Sequence, residues 1–210
     1  DQVIVWEKSR RIGASWGCAC LAVMTAAADP SAGGDDVLYI GYNREMAEEY
    51  MADCAFWARP LAAFAGQAAE IEEYVFEDES ADGRRSIQAF RIRFASGYKI
   101  AALASRPRSL RGRQGVVVID EAVFHEQLGE LIKAALALLM WGGRVLIVST
   151  HDGADNPFNE LVEDCRAGRR PYRVLRTTFQ DALEQGLYRR ICLARGQVWS
   201  PEAEAEWAAR

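Results

Sequence analysis

Two short stretches carry residue types that can act together on a phosphate ester. The first is Lys8-Ser9-Arg10-Arg11-Ile12-Gly13-Ala14-Ser15, and the second is the run Val116-Val117-Val118-Ile119 closed by Asp120 and Glu121. Basic side chains, a turn glycine and a hydroxyl in one loop suit a phosphate. Arginine grips it with paired N–H donors and lysine meets it as a point charge, while free backbone N–H groups at a following helix start add partial positive charge. Adjacent carboxylates behind a run of β-branched residues suit a divalent cation and an attacking water, because acids there are costly to bury unless something uses them.

Set against the phosphate-loop pattern G-x-x-x-x-G-K-[ST], Lys8 stands at the first Gly, Gly13 at the second, Ala14 at the Lys and Ser15 at the hydroxyl position. The loop keeps its turn glycine and its metal-ligand hydroxyl but lacks the usual ammonium. Lys8 can resupply that charge from the other end of the loop, since a four-carbon stem reaches several ångströms. The expected nucleotide-binding segment therefore runs through Lys8, Ser9, Arg10, Arg11, Ile12, Gly13, Ala14, Ser15 and Trp16. Asp120 is expected to hold Mg²⁺ jointly with Ser15, and Glu121 to orient and deprotonate a water that attacks ATP. Ser149 and Thr150, at the tip of the next apolar strand, are placed to sense the γ-phosphate through Glu121 or that water. The bland readings are a strand-turn-helix joint with surface arginines, a capping acid with a neighbour, and an ordinary Ser/Thr turn. His151, one of two histidines with His125, reads as a loop or capping residue. Together the two stretches describe an NTP-hydrolysing motor domain.

The elements that must position these residues alternate as strands and helices. Val3 to Trp6 reads as a strand, Trp16 to Ala28 as a small-residue helix, and Val37 to Tyr42 as a second strand. Asn43 is placed to cap a helix from Arg44 to Ala65. Glu70 to Ile100 behaves differently: Tyr74 to Phe76, Ile87 to Phe94 and Lys99 to Ala104 are strand-like, with turns at Asp82-Gly83 and Ser96-Gly97, predicting a β-hairpin excursion. A loop from Ser105 to Gly115 carries four arginines (Arg106, Arg108, Arg111 and Arg113) and lies between two strands that end near the phosphate site. It is a solvated basic loop or a contact to phosphate or DNA. Val116 to Ile119 has the composition of a central parallel strand buried on both faces. A helix from Glu130 to Trp141, a strand from Arg144 to Ser149, a helix from Asn156 to Arg166 and a strand from Tyr172 to Thr178 follow. Asp181 to Leu193 and Pro201 to Arg210 read as exposed helices, with Trp199 and Trp207 unassigned. This order predicts an α/β P-loop NTPase fold of the ASCE type, with a mainly parallel central sheet flanked by helices. Residues 1–180 form the expected ATPase domain and 181–210 a helical linker.

Composition narrows the class further. Half the residues are hydrophobic, yet no apolar run approaches the ~20 residues that span a bilayer. Cysteines 18, 20, 54, 165 and 192 are scattered without metal-ligand spacing and read as free thiols in a reducing cytosol. The net charge is −5, but base clusters in Arg106 to Arg113 and Arg166 to Arg176, so a local patch can still meet nucleic acid. The only lysines are Lys8, Lys99 and Lys133, which sets the one in the phosphate loop apart.

From Val3 to Leu193 the chain resembles the ATPase half of the large terminase subunit of tailed bacteriophages, most closely the branch of Mu-like phages and prophages. The resemblance rests on Lys8 to Ser15, Ser109-Leu110-Arg111-Gly112, Val118-Ile119-Asp120-Glu121 and Ser149-Thr150. Terminases move the basic residue of the phosphate loop to its start, where Lys8 stands. The resemblance implies that Asp120 is the Mg²⁺ acid, Glu121 the catalytic carboxylate and Ser149-Thr150 the motif coupling hydrolysis to movement. It implies a ring of subunits in the host bacterial cytoplasm, at the procapsid, acting on double-stranded DNA with a portal protein and a small terminase subunit. Arg108 or Arg111 is then the candidate finger completing a neighbour's ATP site, with Arg10 as a candidate in cis. No acid cluster of an RNase H-like nuclease is present before Arg210, so no DNA cleavage is expected of this chain. A helicase or repair ATPase of the same fold, and a decayed P-loop module that hydrolyses nothing, are the competing readings; Ala14 supports the second.

Overall fold

The computed structural model describes residues 2–65, 70–80 and 83–209, and for 61–65, 70–80 and 83–89 it describes the backbone alone. The strands are β1 (Val3–Lys8), β2 (Val37–Ile40), β3 (Glu70–Ser80), β4 (Gly83–Arg93), β5 (Lys99–Leu103), β6 (Val116–Ile119), β7 (Arg144–Ser149) and β8 (Arg173–Thr177). They form one eight-stranded sheet in the order β3-β4-β5-β2-β6-β7-β1-β8. From β5 to β8 every neighbouring pair is parallel. The strands β3 and β4 pair antiparallel with each other, and β4 joins the sheet antiparallel to β5. That pair is the expected hairpin excursion, built from two 11-residue strands rather than short pieces. Of its expected Asp82-Gly83 turn, Asp82 lies outside the described residues.

Helices cover both faces of the parallel part, as the continuous apolar runs of its central strands β2 and β6 require. They are α1 (Ala14–Ala27), α2 (Arg44–Ala65), α3 (Leu128–Leu136), α4 (Pro157–Arg166), α5 (Phe179–Glu184), α6 (Leu187–Ala194) and α7 (Pro201–Ala208). Strand side chains alternate between the faces with period two. Val37, Tyr39, Val118 and Val148 join Ala19, Ala22 and Val23 of α1 and Tyr50 and Cys54 of α2 in one core. Leu38, Ile40, Val117, Ile119 and Ile147 join Leu128 and Leu131 of α3 and Phe158, Leu161 and Val162 of α4 in the other. Small residues on α1 let its backbone approach sheet and α2 closely, and the pair is tied by Tyr50 Oη donating to Cys18 O at 3.2 Å.

Several boundaries differ from the sequence reading for physical reasons. The strand β1 runs two residues past Trp6 to include Glu7 and Lys8, because Lys8 continues the ladder opposite Thr177 of β8. The helix expected from Glu130 to Trp141 is α3 followed by a tighter 3₁₀ turn at Ala137–Trp141, closed by Gly142 at φ 85. The helix expected from Asp181 to Leu193 is broken into α5 and α6 by Gly186 at φ 92. Trp207 stacks on Tyr188 with ring centroids 5.0 Å apart, and Arg189 lies over Trp199, so both tryptophans pack among the C-terminal helices themselves. Among the described residues no helix is long and apolar enough to cross a membrane.

Candidate nucleotide-binding site

The sheet delivers its chemistry to the carboxyl ends of β1, β6 and β7, where open α/β sheets bind ligands. After β1 the chain passes through Ser9 to Ile12 and turns into α1 at Gly13, whose φ of 81 lies in the left-handed region that glycine adopts without cost. Arg11 also has positive φ, at 55. This loop and the first turn of α1 leave backbone N–H groups unpaired by the helix ladder, the usual setting for an anion.

Strand alternation decides where Lys8 points. Trp6 packs in the α1/α2 core, and Lys8, two residues on, reaches across the same side. Its Nζ donates to Glu121 Oε1 at 2.6 Å, with the two side chains only 4% and 20% exposed. Lys8 is therefore a buried residue at the last position of β1, where the phosphate loop begins. Ser15 Oγ, in the first turn of α1, donates to Asp120 Oδ2 at 2.6 Å. Tyr39 Oη donates to the same oxygen at 3.1 Å, and the Glu121 N–H donates to Asp120 Oδ1 at 2.9 Å. Burial raises the Asp120 pKa, the Glu121 charge adds to that, and the Ser15 hydroxyl, Lys8 and Tyr39 pull the other way.

Glu121 sits at φ 48 and ψ 50, a left-handed conformation that costs a residue with a Cβ about 1–2 kcal/mol. The surroundings hold it there. Val123 N–H donates to Ser149 Oγ at 3.1 Å, and His125 Nε2 donates to the carbonyl of Asp120 at 2.9 Å. The Thr150 N–H and hydroxyl approach Glu121 Oε2 at 3.5 and 3.4 Å, the long end of hydrogen bonding. The loop thus brings Lys8 and Ser15 onto the two carboxylates, and β7 brings Thr150 onto one of them.

Other candidates lie apart from this cluster. Arg10 and Arg11 are exposed on the loop, and Trp16 packs on Trp57 with ring centroids 4.3 Å apart. Arg108 lies on a 3₁₀ turn, Pro107–Leu110, and Arg111 follows it; both line a neighbouring cavity of about 1190 Å³ with Tyr42, Arg44, Phe124 and His125.

The comparisons bear directly on this geometry. No family model matches the chain. The Mu-like prophage FluMu protein gp28 of Haemophilus influenzae is 52% identical over 209 residues, which is 100% of this chain and 40% of that protein. The probable terminase large subunit gp28 of Escherichia phage Mu is 52% identical over 208 residues, 99% of this chain and 37% of that one. Over its whole length the chain is similar to part of the Mu-like large terminase subunits. It spans about two fifths of the length of these relatives. Among solved structures, a variant of the large terminase ATPase domain of Thermus phage P74-26 aligns with 17% identity and a TM-score of 0.59, covering 97% of this chain and 85% of that one. The large terminase of another thermophilic bacteriophage, solved in complex with ADP, aligns with 14% identity and a TM-score of 0.57, covering 91% and 44%. These likenesses establish the terminase ATPase-domain fold.

Three residues of this terminase segment escape the sequence reading. Glu7, 4% exposed on β1, pairs with Arg166 of α4 and with His151 Nε2 at 2.8 Å. His125, also buried, joins Ser105 Oγ to the Asp120 carbonyl. Tyr39 reads as core, and its hydroxyl supports Asp120. Strand-plus-charge composition around Glu7 was the one available signal; the other two depend on partners distant in sequence.

Proposed function

We propose that this chain is the ATPase motor domain of a phage DNA-packaging terminase, hydrolysing Mg-ATP to drive double-stranded DNA into a capsid. The observation that carries the reading is the convergence of Lys8, Ser15, Asp120 and Glu121 in one cluster, through the Lys8–Glu121 and Ser15–Asp120 contacts of 2.6 Å each. The Ser15 hydroxyl and the buried Asp120 carboxylate form an all-oxygen donor pair, which fits Mg²⁺. Among the described residues no cluster of three His, Cys, Asp or Glu side chains forms a metal cage, and Mg²⁺ in such sites needs none because phosphate and water fill the other positions. Bound there, Mg²⁺ would neutralise charge on the β- and γ-phosphates.

The chain's own residues supply the remainder. Backbone N–H groups from Arg10 to Ser15 cradle the phosphates, and the Lys8 ammonium stands where the missing lysine of position 14 would reach. A γ-phosphate offers Lys8 a second anionic partner, loosening its hold on Glu121. Glu121 then takes a proton from the attacking water, while Thr150 reads its position. The Lys8–Glu121 pair argues against a decayed module, because a loop without function has no reason to keep a buried ammonium on a strained carboxylate. The resemblance to terminases extends the proposal to a homo-oligomeric ring in the host cytoplasm, with portal protein and small terminase subunit as partners. Residues 181–210 are read as a linker, and this chain itself is read as having no nuclease activity.

Single-turnover hydrolysis with Glu121→Gln tests the proposal. Mg-ATP binding should persist while turnover falls by at least ~100-fold, the scale of losing a positioned base. Turnover at the wild-type rate in that variant would remove Glu121 from the mechanism.

A further inference from the structure

The proposed reaction leaves one buried charged cluster unused, on the face of β1 opposite Lys8. Glu7 points toward α4, since Val3 and Val5 before it pack in the α3/α4 core. Its carboxylate is 5% exposed and meets two guanidinium groups and an imidazole from three separate elements: Arg166 at the end of α4, His151 just past β7 at 2.8 Å, and Arg176 of β8 at 4.0 Å. A carboxylate this buried costs free energy that a leucine would not, so packing alone does not account for it. Its partners show what it holds. Glu7 pairs with Ser149 in the β1–β7 ladder, and His151 directly follows Thr150.

The tip of β7 is therefore gripped from both sides. Thr150 faces Glu121 at 3.4 and 3.5 Å, while His151 is anchored to Glu7 at 2.8 Å. The first contact is so long that a shift of a few tenths of an ångström makes or abolishes it. The short second contact sets where the tip rests.

We infer that Glu7 is a positioning residue, which anchors His151 and thereby holds Thr150 within reach of Glu121. This inference rests on the hydrolysis reading above. Through Arg166 the same carboxylate ties the tip to the outer end of α4, so displacement of Thr150 is passed to a surface helix.

The test compares wild type, Glu7→Gln and His151→Asn for nucleotide affinity, by titration with a fluorescent ATP analogue, and for single-turnover hydrolysis. Glu7→Gln is expected to slow hydrolysis by ~10-fold or more, toward the ~10²-fold scale of a misplaced catalytic group. Nucleotide affinity and KM should stay within about twofold, because Lys8 and Ser15 lie on the other face. His151→Asn, at a half-exposed position that tolerates change, should reproduce the slowing if Glu7→Gln fails to fold. Hydrolysis at the wild-type rate in either folded variant overturns the inference, as does a matched loss of affinity and rate, which marks a merely structural role. A wild type that, at a concentration where it assembles, hydrolyses nothing or is unaffected by Glu121→Gln overturns the parent reading and this one together. A wild type that depends on Glu121 but not on Glu7 or His151 sinks only the positioning role.

Discussion

Lys8 and Ser15 stand at opposite ends of one loop, yet each finds one carboxyl group of the same adjacent pair, so one acid has a counter-ion and the other only a hydroxyl. That pairing predicts two substitutions of opposite character. Lys8→Ala removes the one buried ammonium that the loop offers to phosphate and leaves Glu121 without its counter-ion. Nucleotide affinity should fall by ~10-fold or more, as for loss of a charge-assisted contact of about 1.5–3 kcal/mol; a titration curve that overlays the wild type would show that phosphate is held elsewhere. Asp120→Asn should abolish Mg-dependent turnover but stabilise the metal-free protein. Burial raises the Asp120 pKa above its ordinary value of 3.8, so the native state prefers this group protonated. Its contribution is therefore favourable below that value and is lost as pH rises through the raised pKa. The melting temperature of Asp120→Asn minus that of wild type should grow across this pH interval in chelator; a difference flat with pH would contradict the burial argument. The carboxyl pair and the hydroxyl stand out in sequence because each obeys a local spacing rule, and Lys8 because lysine is rare in the chain and terminases place their basic residue there. Glu7 and His125 do not, because their roles are conferred by Arg166 and Ser105, brought in by the fold over long chain separations.

Elements position the site through a few close approaches, and the glycine before β6 makes one of them. Gly115 has φ 119, and a Cβ there would lie 2.2 Å from the carbonyl oxygen of Asp36. The same carbonyl accepts from Val116 N–H at 2.8 Å, and Gly115 O accepts from Arg144 N–H at 3.3 Å, so this glycine joins β2, β6 and β7 at their starts. Gly115→Ala should cost about 3 kcal/mol or more, since both strain and a backbone clash oppose it. Gly112, at φ 68 with open space around it, is the control: alanine there pays only the left-handed penalty of about 1–2 kcal/mol. Urea midpoints separate the two, and equal losses would show that the clash is relieved by movement of β2. The parallel strands and α2 were readable from hydrophobic runs and the Asn43 cap, which accepts from Met46 N–H at 2.9 Å. The ends were not: β1 continues through two charged residues because β8 pairs with them, and Gly186 divides a periodic stretch into two helices.

At the scale of the whole molecule, the basic side chains fall into two groups. Lys8 is buried on Glu121 with Arg10 and Arg11 exposed on the loop that follows, while Arg108 and Arg111 line a separate cavity with His125. A guanidinium that lies outside its own phosphate loop in sequence can complete a neighbour's site, and in a ring every subunit would then lend one arginine and borrow another. This arrangement makes a prediction that no single-chain mechanism shares. Arg111→Ala and Arg108→Ala should bind Mg-ATP normally and, where the finger is the residue removed, lose turnover by ~10³-fold or more in assembled protein. Mixing that variant with inactive Glu121→Gln should restore activity, because some interfaces then pair an intact Glu121 site with an intact finger from the Glu121→Gln neighbour. The restored rate should peak near equal proportions and vanish on dilution below the assembly concentration. Restoration places the finger in trans; two dead variants that stay dead when mixed, under conditions where wild type assembles and turns over, would move the missing positive charge back to Arg10 or Arg11 of the same chain.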